Sequence, residues 1–137
     1  MPTEQDKLAR PSLEGVKVLL VEDDVMTREA LEVVLTAHGA NVVSADSAPH
    51  ALGLLAGYAP AVMISDIGLP EVDGYELIRR IRSREAAGHP RLPAIAVSGF
   101  ADASDEQAQA AGFDGFLAKP FDVAALVGRL RRLLAGA

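Results

Sequence analysis

Val16-Lys17-Val18-Leu19-Leu20-Val21 runs without a break into Glu22-Asp23-Asp24, and this passage from an apolar run to three consecutive acids decides the fold. A run so short and so nearly free of polar positions suits a strand buried on both faces of a parallel sheet. The acids then stand where the strand gives way to the next element. The pattern recurs down the chain, with apolar runs of strand length at residues 16–21, 41–45, 61–65, 94–97 and 113–118. Longer segments with helical spacing lie between them. In the last, Val123, Leu126, Val127, Leu130, Leu133 and Leu134 follow the i, i+3, i+4, i+7 rule while Arg129, Arg131 and Arg132 fall elsewhere, which predicts an amphipathic helix. Leu77, Ile78 and Ile81 make a shorter stripe in the third segment, with Arg79, Arg80, Arg82 and Arg84 as its solvated face. Leu31, Val34 and Leu35 do the same in the first. Gly39 ends the first helix, Gly57 and Pro60 separate the second from strand three, and Gly112 precedes strand five. Five strand-then-helix units predict an α/β fold, a doubly wound (βα)5 sandwich whose sites form outside the carboxyl ends of a five-stranded parallel sheet.

Composition narrows the function classes. At 137 residues and 50% hydrophobic, the chain supports one well-buried core and not two ordinary domains. The expected division is a linker over residues 1–14, one domain over 15–135 and no output domain after it. A net charge of -6 argues against nucleic-acid binding through bulk charge, because neutralising phosphates needs a basic footprint. The absence of cysteine removes disulfides, zinc–thiolate sites and thiol catalysis together, and it fits a reducing compartment. No leader has an apolar h-region and no run approaches the roughly 20 residues of a membrane helix, so the expected location is cytoplasmic, with no membrane partner.

The polar residues at strand ends carry the chemistry. Glu22 and Asp23 follow strand one, Asp66 follows strand three within Ser65-Asp66-Ile67-Gly68-Leu69-Pro70, Ser98 ends strand four, and Lys119 ends strand five before Pro120. In a parallel sheet these residues share one edge. Hard carboxylate oxygens there suit Mg²⁺. Asp24 has an equally good reading as a helix cap. Placed together, Glu22, Asp23 and Asp66 repel by roughly 4 kcal/mol per pair at about 4 Å and an effective dielectric near 20, so the cluster needs cations. Mg²⁺ and the Lys119 ammonium supply them and leave Asp66 ionised as a nucleophile. Proline restricts the residue before it and admits a cis bond, which would fix the direction of Lys119.

The segments VLLVEDD, ISDIGLPEVDGYELI, AIAVSGF and DGFLAKPF resemble the response-regulator receiver domain of two-component signalling, the CheY-like superfamily, in the right order and over nearly the whole chain. The leader LARPSLEGVKVLLVEDD is similar to that of receivers attached behind hybrid histidine kinases. The resemblance implies a flavodoxin-like sheet of order 2-1-3-4-5. It implies Mg²⁺ or Mn²⁺ held by Glu22, Asp23, Asp66 and the backbone carbonyl of Gly68, and Asp66 as the phosphoacceptor. It also implies phosphate contacts from Lys119 and the Ser98–Gly99 turn, Ser98 as the switch hydroxyl and Phe116 as the switch aromatic, with Pro70, Gly74 and Pro120 structural. The implied donor is a histidine kinase or histidine phosphotransfer protein, and the implied downstream protein partner reads the face of helix four, strand five and helix five. Such a domain assists its own phosphorylation and dephosphorylation and is no turnover enzyme.

Four features set this chain's version of the pattern. Ser98 stands for the more frequent threonine, and Phe116 has no hydroxyl, so that an inward rotation depends on packing; a plain core role for Phe116 is the alternative. Gly68 opens the phosphoryl position to water, whereas Phe100 could cover it, and the sequence leaves that balance open. The apolar residues of ADASDEQAQAAG before its glycine are all alanine, so helix four is expected to be held weakly and to shift on phosphorylation. Two other functions compete: a Mg²⁺-dependent phosphatase with Asp66 as nucleophile, disfavoured because Gly68 occupies the position of the acid–base aspartate, and a degenerate receiver that only binds a protein.

Overall fold

The computed structural model describes residues 13–136. In chain order the elements are β1 (Lys17–Val21), α1 (Val25–Ala37), β2 (Asn41–Ala45), α2 (Ala48–Tyr58), β3 (Val62–Asp66), α3 (Gly74–Ala86), β4 (Ala94–Ser98), α4 (Asp105–Ala111), β5 (Gly115–Ala118) and α5 (Val123–Ala135). All strand pairs are parallel, as the doubly wound expectation requires, and the order is β2-β1-β3-β4-β5, the one the resemblance implies. Chain direction across the sheet reverses between β1 and β3, and their carboxyl ends form the crevice where such folds bind ligands.

Alternation along each strand divides the interior into two cores. Leu19, Met63, Ala94 and Ala96 face α2, α3 and α4, whose Ala51, Leu77, Ile78, Ile81 and Ala108 close that side. Val18, Leu20, Ile64, Ile95 and Val97 face α1 and α5, covered by Leu31, Leu35, Leu126, Val127 and Leu130. Each helix begins on a side-chain cap: Asp24, Ser47, Asp73, Ser104 and Asp122 each accept the N–H of the residue three positions on.

Several expectations change. Residues 1–12 of the expected leader lie outside the described residues. Leu13, also placed in the leader, is fully buried with its N–H on the His38 carbonyl, because the α1–β2 turn leaves an apolar slot that it fills. Gly57 lies inside α2, and the left-handed residue closing that helix is Ala59 (φ 51°). Asp66 is the last residue of β3 rather than the first after it, since the strand pairs with β4 up to Asp66 opposite Val97.

Arg82 is not on the solvated face of α3. It is half-buried, donates from Nε to the Gly112 carbonyl (2.9 Å) and from Nη1 to Leu92 O (2.8 Å), and pairs with Glu85 (2.8 Å) and Asp114 (3.2 Å). Arg84 is likewise half-buried, with Nη1 on the Leu52 carbonyl. Asp114 also takes Arg91 at 2.6 Å and the N–H of Ala94 at 2.9 Å. Burial alone would raise the Asp114 carboxyl; the bonds from Arg91 and Ala94 and the charges of Arg91 and Arg82 outweigh burial and hold it below its ordinary value. A depressed carboxyl stabilises the fold above its unfolded value and loses that contribution as pH falls through the folded one. Asp114→Asn is therefore expected to cost about 1–3 kcal/mol at neutral pH in urea unfolding, with the difference from the parent shrinking at about pH 3 and below.

Candidate functional site

The ladder carries β1 one step beyond Val21. The N–H of Glu22 donates to Ala45 O (3.0 Å), which draws the Glu22 side chain to 1% exposure, while Asp23 turns out to solvent. Arg28 on the first turns of α1 holds the Glu22 carbonyl (2.9 Å). Asp24 faces away as the cap of α1, and the hydroxyl and N–H of Thr27 hold its carboxyl below the usual range. At the end of β3, Asp66 Oδ1 accepts the N–H of Gly68 (3.2 Å), and the loop returns so that Gly74 N–H reaches Ile67 O (2.8 Å). Lys119 N–H donates to Ser98 O (2.7 Å), and the Lys119–Pro120 bond is cis.

These placements bring four of the expected side chains together. One carboxylate oxygen from each of Glu22, Asp23 and Asp66 lies within 4.8 Å of the others. The Lys119 ammonium bridges two of them, 3.3 Å from both Glu22 oxygens and 3.5 Å from Asp66 Oδ2. Three acids face one ammonium, a deficit of two positive charges. Burial first, and the charge of Asp66 second, push Glu22 up to about 7, and Lys119 offsets this only in part. A divalent cation with a preference for hard oxygen donors fits both the deficit and the ligand type.

The remaining expected residues surround this cluster. Ser98 is buried at the end of β4, and its Oγ accepts the N–H of Phe100 (3.0 Å), which leaves its hydroxyl hydrogen free to point elsewhere. Gly99 lies over Lys119, whose Cβ is the nearest atom to a Cβ built on the glycine. Phe116 is half-buried against the α2–α4 core, so it is neither a fully enclosed core residue like Phe113 nor free. Pro70 is exposed, and its carbonyl accepts the N–H of Val72 (2.7 Å). The ring of Phe100 rests on Gly68: a Cβ there would meet Phe100 Cζ at 2.7 Å. Glycine opens a space that phenylalanine fills.

The residues match a known family. The family model described as the response regulator receiver domain matches residues 18–131. The chain belongs to the response regulator receiver domains. It is 40% identical over 117 residues to an uncharacterized 14.6 kDa protein of Leptolyngbya boryana, covering 85% of this chain and 88% of that one. It is 40% identical to part of the virulence sensor protein BvgS of Bordetella pertussis, covering 90% of this chain and 10% of that one. Relative to BvgS and to the response regulator FleR of Pseudomonas aeruginosa the receiver spans a tenth and about a quarter of the length. Among solved structures it is similar to the receiver domain of a sensor histidine kinase from Pseudomonas aeruginosa PAO1, which has a magnesium ion coordinated in its active site cleft (31% identity, 88% of this chain and 98% of that one, TM-score 0.78). A putative response regulator from Chloroflexus aurantiacus aligns at 35% identity, over 89% of this chain and 99% of that one, with a TM-score of 0.79. The chain is thus a receiver of two-component signalling.

One part of the receiver's site surface escapes a search for strand-end polar residues. Met26 is 81% exposed, and with Ala30, Val34, Pro120, Phe121 and Val123 it lines a groove of about 580 Å³ that reaches Lys119. The signal was the width of the apolar face of α1: Met26, Ala30 and Val33 form a second i, i+4, i+7 stripe beside Leu31 and Leu35.

Proposed function

We propose that Asp66 accepts a phosphoryl group from the phosphohistidine of a histidine kinase or a histidine phosphotransfer protein, and that the resulting acyl phosphate switches partner binding. The observation that carries this reading is the Lys119 ammonium within 3.5 Å of both Glu22 and Asp66 in a three-carboxylate cluster. A carboxylate oxygen of Asp66 attacks phosphorus, the P–N bond breaks, and the imidazole leaves with the bonding pair and takes up a proton. Lys119 balances charge on the phosphoryl oxygens, with the Ser98 hydroxyl as a second donor. Mg²⁺ or Mn²⁺ held by Glu22, Asp23, Asp66 and the Gly68 carbonyl supplies the remaining positive charge when bound. The domain turns over no small substrate. It works in the cytoplasm, its downstream protein partner reads the α4, β5 and α5 face, and nucleic acid is not among its ligands. Intact mass after incubation with acetyl phosphate and Mg²⁺ tests the assignment.

The donor's seat is the groove beside α1, because Lys119 belongs both to that groove and to the acid cluster, and an exposed methionine next to a reaction centre marks a contact surface. Met26→Asp is expected to slow transfer from a phosphohistidine donor protein about ten-fold while labelling by acetyl phosphate is unchanged. Release of the phosphoryl group requires water on the line of attack. Phe100 covers the gap left by Gly68, so Phe100→Ala should shorten the adduct's lifetime several-fold, followed by mass against time after donor removal.

A further inference from the structure

A cavity of about 410 Å³ lies between α2 and α3 at the opposite end of the sheet from Asp66. Leu55, Ala56, Pro60, Ile81, Arg84 and Leu92 are among its walls; Pro60 lies two residues before the start of β3 and Leu92 two before that of β4, which places it at the amino ends of both strands. Its volume falls within the roughly 300–1,000 Å³ of small-molecule sites, and most of its lining is apolar. The charged groups around it are unevenly matched. Glu85 is satisfied by Arg82 and by the N–H of Leu92 (2.7 Å), and Asp114 by Arg82 and Arg91. Arg82 and Arg91 thus take both carboxylates, and the third guanidinium, Arg84, is left over. Among the described residues no carboxylate lies within 4.0 Å of it, and its hydrogen bond is a 3.4 Å contact to the Leu52 carbonyl. His89 adds a ring whose Nδ1 sits 2.9 Å from the Arg84 carbonyl.

We propose that this cavity binds a compact anionic amphiphile, with its apolar body against Leu55, Ile81 and Leu92 and its carboxylate or phosphate on Arg84. Glu85 and Arg91 also line the pocket but are paired, with Arg82 and Asp114, so among the described residues Arg84 is the one lining arginine without a carboxylate. Such a pocket selects an anionic amphiphile over a neutral one, because the half-buried guanidinium gains a charged acceptor. The site is independent of the chemistry at Asp66.

The test is a ¹H–¹⁵N titration of the full chain with octanoate, octyl phosphate and 1-octanol at constant ionic strength. Saturable shifts are expected at Leu55, Ala56, Arg84, His89 and Leu92 with either anion, and much weaker ones with octanol. A preference for octanoate assigns the head group as a carboxylate, and the reverse as a phosphate. Arg84→Met keeps the apolar stem and should weaken both anions about ten-fold without changing octanol, as loss of one charge-assisted bond does. Ala56→Trp fills the cavity from α2, leaves Arg84 in place and should abolish binding. Absence of saturable shifts, equal affinity for octanol and octanoate, shifts confined to Met26 and Phe121, or anion binding unchanged in both variants would each overturn the proposal.

Discussion

Asp66→Asn is expected to remove the phosphoryl adduct completely. With acetyl phosphate and Mg²⁺ the parent should gain one phosphoryl group, need the metal to do so, and lose the group slowly once donor is withdrawn. The variant should show no adduct at any donor concentration. The amide keeps the shape of the carboxylate and removes one charge from a cluster that holds three acids against one ammonium. Its urea midpoint without metal should therefore be no lower than that of the parent, which separates lost chemistry from lost folding. An adduct that persists in the variant would place the phosphoryl group elsewhere. Donor consumed steadily with no adduct in the parent would instead indicate the phosphatase that Gly68 argues against.

Gly74→Ala should have the second largest effect, and it should act on stability and chemistry together. A Cβ on Gly74 would lie 2.5 Å from the Asp66 carbonyl oxygen and 2.8 Å from Ile67 Cα. Both are backbone atoms of the loop that carries the reactive carboxylate, so relief requires moving that loop. The N–H of Gly74 also closes the loop on Ile67 O at 2.8 Å. A forced overlap of this kind costs about 1–3 kcal/mol or more. Displacing Asp66 by about 1 Å slows an in-line transfer by about 10²-fold. Urea unfolding reads the first effect and the rate of labelling by acetyl phosphate the second. Gly68→Ala provides the contrast: its clash is with the rim of the Phe100 ring, an exposed side chain that can swing aside, so the fold should tolerate the methyl group.

The fold was legible because three of the five strands are apolar at nearly every position and the segments between strands carry helical spacing closed by glycine or proline, signals that depend on neighbours in sequence. The acid cluster was legible for the same reason: Glu22, Asp23, Asp66 and Lys119 all sit where strands end, and a parallel sheet brings strand ends together. What escaped depends on contacts distant in sequence. Arg82 reads as one of four arginines on a wet helix face, yet its partner Asp114 lies 32 positions away and its hydrogen bond to Gly112 O spans 30. Leu13 reads as linker because its slot is made by His38 to Ala40. Ala59 takes the left-handed turn although Gly57 stands two residues earlier, since α2 continues through the glycine to Tyr58. The covering of Gly68 by Phe100 joins two loops from different strands, and each residue alone predicts the opposite effect.

The tie between Arg82 and Gly112 has a mechanical consequence. It clamps the carboxyl end of α4, while the core contacts of that seven-residue helix are only Ala108 and Ala111. The helix is thus a lever about 10 Å long with its fulcrum at Gly112. A rotation of about 10° carries its Ser104 tip, next to the Gly99–Phe100 turn, through about 2 Å, since 10 Å multiplied by the sine of 10° is close to that value. A small change beside Asp66 that reached this turn would in this way be magnified at one end of α4 and cancelled at the other.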